Sequence, residues 1–76
     1  MPVDLSDPKV IEDIFTYHRP EGDQPAKYEA IREGAKAFAK ILVENTPKCA
    51  DQSAAIRHLR EAVMTANGAV ALKGLV

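Results

Sequence analysis

QPAKYEAIREGAKAFAKILVEN, residues 24–45, decides the fold. Within it Tyr28, Ile31, Ala35, Phe38 and Leu42 recur at spacings of 3, 4, 3 and 4. That repeat lays one apolar seam along a helix, as in a coiled-coil pair. A second stripe, Ala30, Gly34, Ala37 and Ile41, runs beside the seam and is made mostly of small residues. A third, Arg32, Lys36 and Lys40, steps by four and lines up three positive charges on one ridge. One helix from about 24 to 45 thus offers a partner seam, a close-approach face and a cationic edge.

Working outward, NTPKCA at 45–50 breaks that helix, because Pro47 prevents continuation and Asn45 suits a left-handed cap. So short a break returns the chain antiparallel. Asp51, or a residue just before it, is expected to cap a second long helix over about 51–72. There Ile56, Leu59, Val63, Ala66 and Val70 repeat the same spacing, and Ala55, Ala62 and Ala69 add a row of small residues. Gly68 weakens this helix by about 1 kcal/mol relative to Ala, and Lys73-Gly74 ends it. Upstream, Asp7-Pro8 is a helix start, and Val10, Ile11, Ile14 and Phe15 share one face, predicting a short helix over about 8–15. Two turns are not stable alone, so this face must dock on something. TYHRPEGD at 16–23 is a loop, with Pro20 and Gly22 for turns and Asp23 to cap the long helix. The fold class is all-α: one domain over 1–76, a two-helix hairpin with a short N-terminal helix and no strand.

A chain of 76 residues is marginal without a staple or a partner. Ile41, Met64 and the alanine rows lie off the main seams, so a homo-oligomer is expected. Cys49 is the one cysteine, which excludes an internal disulfide and any Cys/His zinc cluster; it reads as a structural thiol. The start MPVDLSDP has no signal-peptide character, and no apolar run nears the roughly 20 residues of a bilayer span. No membrane association and a soluble, cytoplasmic protein are the expectation. Net charge is −1 but uneven: residues 1–23 carry −4, residues 24–60 carry +3. That is not the strongly basic balance of a protein coating polymeric nucleic acid, while a small anion in a local pocket fits it.

Candidate contacts follow from residue type. Tyr17 and His18 put an aromatic and a titratable ring on a short tether beside Arg19; such an aromatic can stack on a nucleobase, or pack over the hairpin end. Arg32 and Lys36 can hold phosphates, or be a solvated face paired with Glu29, Glu33 and Glu44. Arg57 and Arg60, near the start of the second long helix, offer a second cation pair, or another solvated face. Asn67 reads as holding the Tyr17 loop by hydrogen bonds to its backbone, ahead of the alternative of a ligand contact. No nucleophile–base arrangement, metal spacing or glycine-rich phosphate loop is present, so neither catalysis nor a cofactor is expected.

FTYHRP (15–20), QPAKYEAIREGAKAFAKILVENTP (24–47) and SAAIRHLREAVMTANGAVAL (53–72), in that order, resemble a small phage family, the anti-CBASS two / Thoeris anti-defence one hairpin domain. The resemblance implies a compact hexamer in the cytoplasm of an infected bacterium. It implies a sponge for the host's cyclic oligonucleotide signals, without cleavage. Cyclic dinucleotides would bind between paired protomers, and cyclic trinucleotides at separate three-fold sites. Carried onto this chain, Tyr17 stacks on a base, and Arg32 is the first phosphate cation, with Lys36 second and His18 or Arg19 flanking. Arg57 and Arg60 would serve the three-fold site. The alternative, from another class, is a helical adaptor that grips a protein and takes no nucleotide.

Overall fold

A computed structural model describes residues 3–75. Met1, Pro2 and Val76, part of the expected 1–76 domain, lie outside the described residues. Three helices form: α1 (Pro8–Phe15), α2 (Gln24–Glu44) and α3 (Ala50–Ala71). No strand occurs among the described residues, so the chain is all-α.

The α2 and α3 helices lie antiparallel, and a glutamine ties each end. Gln24, opening α2, donates from Nε2 to the Val70 carbonyl near the end of α3 at 3.0 Å. Gln52, in the first turn of α3, donates to the Val43 and Thr46 carbonyls at 3.3 and 3.2 Å. Between these ties the two 3-4 seams face each other. Tyr28, Ile31, Ala35 and Leu42 of α2, and Ile56, Leu59, Val63, Ala66 and Val70 of α3, are all half-buried. Phe38 sits at the seam's edge and stays 50% exposed. The small-residue stripe of α2, Ala30, Gly34, Ala37 and Ile41, is wholly on the outside.

The helix ends differ from expectation in their caps. Asp23 makes no capping bond with its side chain; its carboxylate pairs with Lys27 at 3.3 Å instead. Gln24 Oε1 accepts from the Glu21 N–H at 3.0 Å and, with Gln24 N–H donating back to Glu21 O at 3.0 Å, closes the turn before α2. Asn45 is not left-handed, at φ −112° and ψ 7°. Its side chain donates to Ile41 O at 2.8 Å, and Thr46 Oγ1 donates to Leu42 O at 2.6 Å, so side chains satisfy the last carbonyls of α2. At α3 the second of the two expected caps holds: Cys49, before Asp51, is the N-cap, though its thiol is exposed and makes no cap bond, as befits a weak acceptor. Asp51 sits in the first turn, where its charge suits the helix dipole.

The start of α1 follows from its sequence: Asp7 Oδ1 accepts from Lys9 N at 2.9 Å, and Pro8 fills the first helical position. Just before it, Asp4 accepts from Ser6 Oγ at 2.6 Å and Ser6 N at 3.0 Å. These bonds, the hydroxyl's first, hold the Asp4 carboxyl below its usual value. Among the described residues the apolar face of α1 is only partly covered: Val10 and Ile14 are half-buried, while Ile11 and Phe15 are exposed. It packs on neither α2 nor α3, and Phe15 is 81% exposed.

The consequence shows in size and surface. The radius of gyration is 15.6 Å, against about 11 Å for a compact chain of this length. Among the described residues no apolar side chain is buried, and the exposed surface is 6092 Å². A compact chain of 8.3 kDa would show about 4,600 Å². The surplus of about 1,500 Å² is roughly twice what one partner contributes to an ordinary interface.

Candidate functional site

Apart from Asn67, the candidate residues fall into two groups on the chain. The first belongs to the strap, residues 16–23, that joins α1 to α2. Tyr17 is 82% exposed, its ring free to meet a ligand. His18 is half-buried, and its Nε2–H donates to the Asp13 carbonyl at 2.5 Å. An acceptor there requires the proton on Nε2. Arg19 is exposed and borders, with His18, Glu21 and Lys73, an open cavity of about 500 Å³ between the strap and the last turn of α3. Lys73 Nζ lies 3.3 Å from the Glu21 carboxylate across its mouth.

The second group rims a groove between α2 and α3. Its floor is apolar, built by Ala35, Ala39, Ile56, Leu59, Val63 and Met64, and its volume is about 330 Å³. Lys36 from one helix and Arg60 from the other stand on its edges. Arg32 lies one turn before Lys36 on the same ridge, and Arg57 one turn before Arg60. Such a surface pairs apolar contact with positive charge, which suits a molecule that has flat rings and phosphates.

Of the acidic partners expected along α2, only Lys36 finds one: Glu33, at 3.3 Å. Both ends of that pair are solvent-exposed, so it gives way readily to a better anion. Arg32, Arg57 and Arg60 have no carboxylate within ion-pair distance among the described residues. His58 takes Glu61, at 3.6 Å.

The structure does not give Asn67 the loop-holding bonds expected of it. Its Oδ1 is covered and meets no donor among the described residues. The strap returns to α3 at Val70 and Lys73, about a turn beyond Asn67, and Gln24 and Lys73 hold it there. Neither was assigned this role from the sequence. No capping motif marked Gln24, because its bond goes back to Glu21, ahead of the Asp23 N-cap. Among the described residues no group of His, Cys, Asp and Glu is arranged to hold a metal ion, and no helix is long and apolar enough to cross a membrane.

Strap and groove lie far apart on one chain. From the start of α2 to Lys36 is twelve residues, about 18 Å along the axis. Tyr17 and the Lys36–Arg60 rim of the same chain therefore occupy different regions of the surface.

Comparison with curated proteins and with solved structures returned no significant match. A family model does match: that of the Acb2/Tad1 hairpin domain, over residues 7–71. The match spans all three helices and the strap between α1 and α2, and by it the chain belongs to the Acb2/Tad1 hairpin-domain family.

Proposed function

We propose that this protein is a phage anti-defence sponge that binds cyclic oligonucleotide signals inside the infected bacterium and keeps them from their effectors without cleaving them. The observation that carries the reading is the groove with an apolar floor and cations on both rims, on a chain of this family. Copies of the chain assemble, a hexamer by family resemblance. Assembly brings the strap of one protomer to the helices of another, so that Tyr17 and the Arg32–Lys36 ridge serve one ligand. A cyclic dinucleotide has two base faces and two phosphates in near two-fold relation. A two-fold interface repeats each Tyr17 and Arg32 once and matches that symmetry. Tyr17 stacks on a base, Arg32 forks onto a phosphate, and Lys36, His18 and Arg19 flank it. Arg57 and Arg60 hold cyclic trinucleotides at a three-fold site, and Asn67 is a further ligand contact. With no nucleophile–base pair in the site, the bound ring stays intact.

A thermal-shift panel of cyclic di- and trinucleotides tests this. Stabilisation that grows with ligand concentration is expected, with intact ligand recovered after denaturation. Tyr17→Ala should weaken dinucleotide binding by about 30-fold or more, because each ligand loses two base–aromatic stacks of about 1–3 kcal/mol each. Arg32→Ala should cost about tenfold or more, as loss of a charge-assisted hydrogen bond does. Both variants should keep the parent's assembly. Full-strength binding by both would place the site elsewhere.

A second reading, a protein-binding adaptor without a nucleotide ligand, draws on the undocked apolar face of α1 and on exposed Phe38, Ile41 and Met64. It predicts a flat response to the whole nucleotide panel.

A further inference from the structure

Gln24 is the one buried side chain among the described residues, at 9% exposed, and it is polar. Burying an amide is unfavourable unless its donor and acceptor are both used. Here they are. Oε1 accepts from the Glu21 N–H at 3.0 Å, and the Gln24 N–H donates back to Glu21 O at 3.0 Å, closing the end of the strap. Nε2 donates to Val70 O on α3, 46 positions along the chain. Lys73 joins the same two segments through Glu21, but that ion pair is solvent-exposed and correspondingly weak. At the strap's other end His18 ties it to the carbonyl of Asp13 in α1.

From these contacts we infer that Gln24 is a positioning residue: it latches the strap to the end of α3 and so sets where Tyr17 presents its ring. The inference rests on the proposed capture of cyclic dinucleotides by Tyr17. Tyr17 is too exposed to be held by packing of its own; its place is given by the strap's backbone. An unlatched strap must be ordered at each binding event. Affinity then falls by the fraction of time the strap stands in place, roughly tenfold if that fraction is one tenth.

Two variants test the latch. Gln24→Met keeps length and bulk and removes both bonds. Gln24→Glu keeps an acceptor for Glu21 N–H, but at neutral pH sets a carboxylate against the Val70 carbonyl; protonated, it donates again. The readouts are amide exchange along residues 16–23 and calorimetry with cyclic di-AMP, cyclic di-GMP and cyclic GMP–AMP. In Gln24→Met, strap exchange should rise about tenfold with α2 and α3 protection and assembly mass unchanged, and dinucleotide affinity should fall about tenfold. In Gln24→Glu, affinity should recover towards the parent's as pH drops through the carboxylate range, with the parent at each pH as reference. Should Gln24→Met lose helix content, the pH profile of Gln24→Glu decides. Unchanged strap exchange, or a loosened strap with undiminished affinity, overturns the positioning role. A parent that binds none of the three overturns the capture reading itself, and strap exchange then still reports whether the latch exists.

Discussion

Lys73 has a left-handed backbone, φ +53°, at the position just past α3 where glycine is the usual residue. The glycine comes one place later: Gly74, at φ +80°. Lys73 N donates to Val70 O at 3.2 Å and Gly74 N to Ala69 O at 3.1 Å, the two bonds of a Schellman ending. A β-carbon in that conformation costs about 1–2 kcal/mol. The exposed pair with Glu21 offsets only a few tenths of that, by the usual value of such pairs. Lys73→Gly should therefore raise the unfolding free energy by about 1 kcal/mol. The midpoint of urea unfolding at fixed protein concentration measures it, and a lowered midpoint would show that the Glu21 contact outweighs the strain. The stop at Lys73-Gly74 could be read in the sequence, but not that Lys73 turns left-handed as well as Gly74. Gln24 was hidden for a related reason. Glu21, Asp23 and Gln24 all lie at the same helix start, and only three-dimensional placement shows that Gln24 bonds back to Glu21 and across to Val70.

The seams were legible at the scale of elements, because a 3-4 repeat admits one helical face and the two repeats match in length. Nine of the ten seam residues are half-buried against the opposite helix, and Phe38 alone spills over the edge. The caps were less legible, since Asn45, Thr46 and Gln52 all compete for the last carbonyls of α2. For α1 the sequence showed that an apolar face needs a dock, and the structure shows that its own hairpin is not that dock. In the proposed assembly another copy supplies it. Replacing Ile11 and Phe15 by Ser removes apolar contacts worth about 1.5–3 kcal/mol each where fully buried. The double variant should dissociate at protein concentrations at least about tenfold higher than the parent's, with α2 and α3 still helical by circular dichroism. Mass by light scattering along a dilution series reads this, and an unchanged dissociation curve would mean that α1 takes no part in assembly.

The molecule as a whole exposes about 1,500 Å² more than a compact chain of its mass would, and among the described residues it buries no apolar side chain. Length alone hinted at this; the extent of the open surface came only with the structure. The candidate residues do not converge on the single chain. Tyr17 sits at one end of the hairpin and Lys36 and Arg60 near its middle, so a shared ligand needs two chains. Native mass spectrometry of the protein mixed with a cyclic dinucleotide tests this most directly, because one spectrum reads chain number, ligand number and ligand mass. Whole multiples of the 8.3 kDa chain, carrying unaltered dinucleotide at one per pair of chains, are expected. Single chains without ligand, or dinucleotide recovered as its hydrolysed form, would contradict it.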